Sequence, residues 1–232
     1  MILSIVIPAK NEADSLPRVF DELQAALKQL PPQTEVILVD DHSTDATAKV
    51  AAQYPFVRLT ENPYNSGKGM ALRAGFEAAN GEYIAMMDAD FSHQALDLPA
   101  LLKEVQQHKG LVVGSRISGG SEEYTPVRAF GNIMLTRAFG LVHGRYLTDA
   151  LNGFKIFHRD VYRSFFYTSQ KFEIEIELLV NTLRLNRPIT ESPSHERSRL
   201  GGKLKSSVVK HGTLFMSRIF YEKFRKAVPR DG

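Results

Sequence analysis

The chain has 232 residues, 43% of them hydrophobic and 24% charged, a formal net charge of +3 and no cysteine. That is ordinary globular composition, and the length suits one α/β domain with a single core, alone or with a C-terminal extension. The missing cysteine excludes disulfide and thiolate chemistry. No stretch is apolar for the roughly eighteen residues a membrane-spanning helix needs.

The opening run "MILSIVIPAKNE" is apolar but short and without a basic flank, so it reads as a strand and not as a signal peptide. Leu3 to Ile7 forms that strand. Leu16, Val19, Phe20, Leu23, Leu27 and Leu30 then recur at helical spacing, and Pro31-Pro32 closes the helix. Val36 to Val39 is a second strand ending at Asp40-Asp41. "STDATAKVAAQY" begins a helix with Ser43 or Thr44 as its cap. Val57–Leu59 is a third strand, 70–79 a helix, Tyr83–Met87 a fourth strand, 98–105 a helix and 111–113 a fifth strand.

This alternation implies parallel strands joined by right-handed crossovers, covered on both faces, with ligands bound beyond the strands' carboxyl ends. The second half is less regular. Arg128 to Val142 reads as a long amphipathic helix, and "LNGFKIFHRD" as a turn and a short strand. "KFEIEIELLVNTLRL" alternates like a strand at first but is long enough to favour a helix. Ser206 to Phe224 is the terminal helix. From Lys203 onward eight basic residues meet only Glu222 and Asp231, a skew that points to an anionic partner.

Three polar sites therefore end three strands: Asn11-Glu12, Asp40-Asp41 and Asp88-Ala89-Asp90. Two carboxylates one residue apart repel unless a cation sits beside them. Hard oxygen ligands suit Mg²⁺ or Mn²⁺ shared with substrate phosphates, whereas a lone acid pair is as easily an acidic turn. Asp41 either caps a helix or takes a base N–H or ribose hydroxyl. Gly67, Lys68 and Gly69 open a helix and can cradle phosphate, although Gly69 stands where a P-loop requires Ser or Thr. Arg116, Arg128, Arg197 and Arg199 together suggest a phosphate clamp. No histidines are paired at zinc-ligand spacing; His93, beside the acid pair, is the one to watch. "AFGNIMLTRAFGLV" reads as packing, with an aromatic and methionine face that could meet a lipid chain.

"SIVIPAKNE", "VILVDDHSTDAT", "NSGKGMALRAG", "GEYIAMMDADFSH", "VVGSR" and "DALNGFKIF" stand in the order found in family 2 glycosyltransferases of the GT-A fold. The chain most resembles the dolichyl-phosphate mannose synthase, or polyprenyl-phosphate glycosyltransferase, branch over residues 1 to about 205. The resemblance implies a Rossmann-like, mostly parallel sheet flanked by helices. It divides into a nucleotide-sugar half (1–116) and an acceptor half (117–205), with 206–232 a basic amphipathic helix. Pro8, Ala9, Glu12, Asp41, Lys68, Ala89 and Arg116 would line the donor pocket. Asp88 and Asp90 would hold Mg²⁺ or Mn²⁺ on the diphosphate, and Ser92 stands where some members place a glutamine ligand. Arg128, Arg197 and Lys203 would face the lipid phosphate, although Leu200 and Gly202 replace a glycine and a serine of the branch's motif.

The implied reaction is inverting transfer of a sugar, GDP-mannose first among donors, to a polyprenyl phosphate. Asp90 serves the departing diphosphate through the metal, and Arg116 reaches the nucleotide or the acceptor phosphate. A hydroxyl acceptor would instead need a base, for which Asp149 is the candidate. The terminal helix either touches the inner face of a membrane or docks on its own domain. The expected compartment is the cytoplasm, and no nucleic-acid partner is expected. A HAD-type phosphatase would place its D-x-D-x-S on the first strand, not the fourth. A sugar nucleotidyltransferase would open with a glycine-rich loop. A non-catalytic nucleotide-sugar-binding scaffold would not need the acid pair.

Overall fold

The structure, a computed structural model, describes residues 1–200 and 208–230. In chain order the first half runs β1 (Leu3–Ala9), α1 (Leu16–Leu27), β2 (Thr34–Asp40), α2 (Thr47–Ala51), β3 (Val57–Glu61), α3 (Lys68–Ala78), β4 (Tyr83–Met86), α4 (Leu98–His108) and β5 (Leu111–Ser115). The second half adds α5 (Arg116–Gly119), α6 (Pro126–His143), β6 (Lys155–His158), α7 (Asp160–Arg163), α8 (Ile174–Arg184), β7 (Ile189–Pro193) and α9 (Val208–Phe224).

These strands form one sheet in the order β3-β2-β1-β4-β6-β5-β7. All neighbours are parallel except β6, which runs against both β4 and β5. β1 shows why the strands read as unbroken apolar runs. Side chains alternate between faces, so Val6 packs in one core with Ile37, Val39, Phe76, Phe157 and Ile174. Leu3, Ile5 and Ile7 pack in the other with Leu16, Phe20, Leu98 and Leu101. Both faces are helix-covered, so both sets must be apolar.

β1 lies between β2 and β4, and Ala9 is in register with Asp40 while Val6 is in register with Met86. The crossovers leave β1 in opposite directions, which opens a crevice beyond the carboxyl ends of β2, β1 and β4. Each of the three loops that leave this edge turns through a left-handed residue: Asn11 (φ 53°), His42 (φ 58°) and Phe91 (φ 69°).

Two local expectations are corrected. Ser43 and Thr44 do not cap α2, which begins at Thr47. The Ser43 hydroxyl accepts the Asn11 backbone N–H (3.0 Å), and the Thr44 N–H donates to the Asn11 side chain (2.7 Å). The N-cap residue is Ala46, and Asp45 just before it accepts the Thr47 N–H at 2.9 Å. The second correction is β7, which joins the sheet beside β5 and has no counterpart in the sequence reading. Its segment "ITESP" carries one aliphatic residue besides its proline.

α9 docks on the domain. Phe215 and Ile219 enter the same core as Leu135 and Phe139 of α6. The two helices run side by side, with the His143 ring bonded to the Ile219 carbonyl (3.0 Å). Among the described residues no helix is long and apolar enough to cross a membrane.

Candidate active site

A cavity of about 250 Å³ opens at the carboxyl edge of β1, β2 and β4. Pro8, Ala9, Glu12, Asp41, Lys68, Asp88, Ala89 and Asp90 all line it, so the crossovers gather residues from four separate stretches of sequence. Lys10, Ser66, Gly67, Phe172 and Arg199 complete the wall.

The acid pair is not bare. The Lys68 ammonium lies 2.7 Å from Asp88 and 3.2 Å from Glu175. Burial alone would push the Asp88 carboxyl up, but Lys68, with Arg199, holds it well below the usual carboxylate range. Burial likewise opposes charge on Lys68, and Asp88 and Glu175 outweigh it, raising the ammonium above the ordinary lysine range. A β-carbon on Gly153 would stand 2.9 Å from Lys68 Nζ and 3.3 Å from both Asp88 and Glu175. Glycine there lets the three charged groups close. Glu175 is buried, and its Oε2 has no hydrogen-bond partner among the described residues.

Asp90 is held differently. Its Oδ1 accepts the Ser92 N–H (3.1 Å) and hydroxyl (2.6 Å), while Oδ2 faces Arg199 at 3.4 Å. Ser92 is buried, so it orients the carboxylate from behind. Behind Asp88, His93 Nδ1 accepts the Asp88 backbone N–H (3.0 Å), Nε2 meets Asn152, and the ring stacks on Phe154. That bond from a backbone N–H fixes Nδ1 as the unprotonated nitrogen.

In the loop carrying Gly67, Lys68 and Gly69, which lines the cavity through Gly67 and Lys68, two backbone donors are already engaged. The Gly67 N–H donates to Asp41 and the Met70 N–H to the Gln170 carbonyl. A β-carbon on Gly69 would lie 2.5 Å from the Lys171 carbonyl oxygen, so this glycine serves close packing against that loop. Asp41 is buried, and its carboxylate accepts from Asn62 (2.6 Å), Ser66 (2.9 Å) and Gly67. It ties the 62–67 loop to the sheet edge.

A second cavity of about 230 Å³ lies between α6 and α9. Arg116, Arg128, Arg199 and His211 supply its basic groups, and Leu135, Leu151 and Phe215 its apolar wall. Arg199 lines both cavities. α6 starts at Thr125, whose hydroxyl accepts the Arg128 N–H (3.3 Å), with Pro126 in the first turn. The Arg128 guanidinium pairs with Glu123 at 3.1 Å.

Arg116 meets Asp149 through two parallel bonds of 2.7 and 2.8 Å, and meets Glu196 at 3.1 Å. Asp149 is fully buried and accepts a further bond from Asn132 (2.8 Å). Burial pushes its carboxyl up, but the Arg116 and Asn132 bonds win and hold it below the usual range. Glu191 accepts the Thr148 and Asp149 backbone N–H groups at 2.8–2.9 Å and so fixes this turn.

The two arginines of "HERSRL" separate by role. Arg197 lies over the Phe91 ring at 3.8 Å from its centroid and pairs with Glu22 at 2.6 Å. An aromatic residue in the left-handed region is strained by about 1–2 kcal/mol, and Arg197 holds it there. Arg197 thus braces the acid-pair loop, while Arg199 reaches into both cavities. Lys203 lies outside the described residues. Glu175, Glu196, Asn132, Tyr124 and Phe172 had no sequence signal, since each belongs to a stretch whose local pattern describes a helix or a loop.

Among the described residues no three His, Cys, Asp or Glu side chains gather as a self-sufficient metal cage. The donor set still fits Mg²⁺ or Mn²⁺. Such ions take one or two carboxylates and complete their shell from substrate phosphates and water. Asp88 and Asp90 offer hard oxygens, each already facing a cationic side chain.

Comparison with known proteins bears on this geometry. The family described as Glycosyl transferase family 2 matches residues 4–166. A dolichyl-phosphate beta-glucosyltransferase of Trichomonas vaginalis is 34% identical over 91% of this chain and 71% of its own length. The dolichol-phosphate mannosyltransferase of Pyrococcus furiosus is 29% identical over 78% of this chain and 53% of its own. Glucosyl-3-phosphoglycerate synthase of Mycobacterium tuberculosis, crystallised with Mn²⁺, UDP and phosphoglyceric acid, superposes with a TM-score of 0.76. That superposition covers 96% of this chain and 78% of the synthase at 20% identity, a likeness of fold, and the fold is GT-A. The chain belongs to glycosyltransferase family 2.

Proposed function

We propose that the protein transfers a hexose from a nucleotide-sugar to a polyprenyl phosphate with inversion at the sugar carbon. The observation that carries this reading is the pair of adjoining cavities, one lined by Asp88 and Asp90 and one by Arg116 and Arg128 with an apolar wall, joined at Arg199. An acidic cavity that meets a diphosphate needs a cation between them, whereas a basic cavity takes a phosphate directly. The dolichyl- and undecaprenyl-phosphate transferases among the relatives support a lipid-phosphate acceptor.

In this reading Pro8, Ala9, Glu12 and Asp41 border the nucleoside. Asp88 and Asp90 carry the divalent cation, with Ser92 fixing the Asp90 rotamer. A cation bound there supplies positive charge against the departing diphosphate. Lys68 adds a second, tethered charge beside Asp88. Arg116 serves the acceptor side: Asp149 and Glu196 hold its guanidinium, and it lines the second cavity but not the first. Arg128 and Arg199 complete the clamp on the acceptor phosphate, and Arg199 takes the part first expected of Arg197. A phosphate acceptor is already anionic and needs alignment rather than deprotonation. A hydroxyl acceptor would require Asp149 to take up a proton. Its buried bidentate pair with Arg116 keeps it ionised and covered, so we favour the phosphate acceptor.

We put glucose ahead of the mannose first expected, because the glucosyltransferase relative is 34% identical and the mannosyltransferase 29%. The test is transfer to polyprenyl phosphate from UDP-glucose and GDP-mannose with Mn²⁺ or Mg²⁺. Product with one donor is expected, falling about 10²- to 10³-fold in Asp90→Ala. Transfer from neither donor, or an Asp90→Ala protein as active as the parent, would refute the reading.

A further inference from the structure

We infer that Glu175 is a positioning residue for the cation site: the carboxylate to which the Lys68 ammonium withdraws when a divalent ion takes Asp88. This rests on the reading that Asp88 and Asp90 carry that ion, and it names where the charge already resident there goes.

Lys68 holds the oxygen that the ion would take. Its Nζ lies 2.7 Å from Asp88 Oδ1 and 3.2 Å from Glu175 Oε1. Lys68 and Asp88 line the donor cavity and Glu175 does not, so Glu175 stands behind the ammonium as seen from the open space. A divalent ion arriving at Asp88 meets a positive charge on the same carboxylate. Like charges that close repel, most strongly away from water, so either the ammonium leaves Oδ1 or the ion binds weakly. Asp90 poses no such problem. Its partner Arg199, at 3.4 Å, is 29% exposed and lines both cavities, with open space on either side. The Lys68 side chain is only 12% exposed, walled in by Asp88, Glu175 and the Phe172 ring at 5.2 Å. It needs a fixed partner to move to.

Glu175 is built as that partner. It sits in the first turn of α8 and is buried. Oε1 makes the longer of the two Lys68 contacts, and Oε2 has no hydrogen-bond partner among the described residues. Buried carboxylate oxygens are ordinarily paired. Glu177, two residues on, shows the static case: its two oxygens together accept from Thr168, Ser169, Arg218 and Arg225. Lys155, the other buried ammonium beneath this edge, bonds the Asn152 carbonyl. Gly153 leaves room for the change of partner, since a β-carbon there would stand 2.9 Å from Nζ and 3.3 Å from Glu175. Nζ is already within reach of both carboxylates, so a small rotation of the side chain suffices. The ammonium keeps its proton throughout.

The test is titration of the full chain with Mn²⁺ at saturating UDP or GDP, read from the electron paramagnetic resonance signal of free Mn²⁺, with folding checked by circular dichroism. Glu175→Gln should weaken Mn²⁺ binding about tenfold or more, because the ammonium loses its retreat. Lys68→Met should bind Mn²⁺ at least as tightly as the parent. In the Lys68→Met background, Glu175→Gln should then change the affinity by less than about threefold. An unchanged Glu175→Gln, an equal loss in both backgrounds, or weaker binding in Lys68→Met would overturn the inference. A crystal structure of the parent with nucleotide and Mn²⁺ tests the same step without a substitution. Lys68 Nζ should lie closer to Glu175 than to Asp88, and an ammonium still on Asp88 Oδ1 beside the bound ion would overturn the inference while leaving the cation reading intact. A parent that binds no Mn²⁺ would remove that reading and this inference together.

Discussion

The protein holds two clusters of opposite charges, and they are built to different ends. Between α8 and α9, Glu177 and Glu222 are surrounded by Arg184, Arg218 and Arg225, with contacts of 2.6–3.0 Å. Both glutamates are buried, and Glu177 also accepts the Thr168 and Ser169 backbone N–H groups. Three arginines meet two acids, and the cluster is closed. At the sheet edge, among the described residues, Asp88, Asp90 and Glu175 form ion pairs with Lys68 and Arg199, and Glu175 Oε2 has no hydrogen-bond partner. The first cluster fastens a helix. The second leaves the Asp88 and Asp90 carboxylates lining open space, an arrangement that accepts a cation.

Breaking the closed cluster should give the largest change in stability. Glu222→Ala leaves Arg184, Arg218 and Arg225 around a buried hole, and the expected loss is about 3–5 kcal/mol by chemical denaturation. Transfer per folded molecule should persist, because no residue of this cluster lines the donor cavity. Loss of transfer without loss of stability would mean that the two clusters are not separate.

Lys155 sharpens the contrast from beneath the open edge. It is fully buried, and burial lowers its ammonium to about 8, with Glu175 and Asp149 only partly opposing that fall. The drop from 10.5 to about 8 corresponds to roughly 3 kcal/mol against folding. The unfolded chain binds the extra proton between these values, so this penalty is fully present below pH 8 and is relieved as pH rises toward 10.5. Lys155→Met should therefore gain most over the parent at neutral pH, and the gain should shrink above pH 8. A gain independent of pH would place the Lys155 charge elsewhere.

The third effect is smaller and separates neighbours. Arg199→Met should lower kcat/KM for the acceptor by about tenfold or more, the loss of one charged hydrogen bond of about 1.5–3 kcal/mol. Arg197→Met should act chiefly on thermal stability, through Phe91. The reverse pattern would return the clamp to Arg197.

The open cluster was half legible in the sequence. Asp88 and Asp90 stand out because a buried apolar strand ends in them, and the β-α alternation brings Glu12 and Asp41 to the same edge. Glu175 was hidden in Glu173-Ile174-Glu175-Ile176-Glu177, where three equally spaced glutamates do three jobs. Glu173 accepts the Gln170 N–H (3.0 Å), Glu175 pairs with Lys68, and Glu177 anchors α9. Nothing local distinguishes them; the distinction lies in which distant element each one meets. The same holds for Arg197 and Arg199, two residues apart in a loop without periodicity, sorted only by the stack on Phe91. β7 escaped notice because its place beside β5 is set by backbone pairing more than by apolar side chains.

The central claim is that Asp88 and Asp90 carry a divalent cation for a diphosphate, and calorimetric titration of UDP and GDP with and without Mn²⁺ tests it most directly. In the parent, Mn²⁺ should tighten binding of the preferred nucleotide about tenfold or more, and in Asp90→Ala it should change nothing. Equal affinity in the parent with and without the metal, or an undiminished Mn²⁺ effect in Asp90→Ala, would contradict the account.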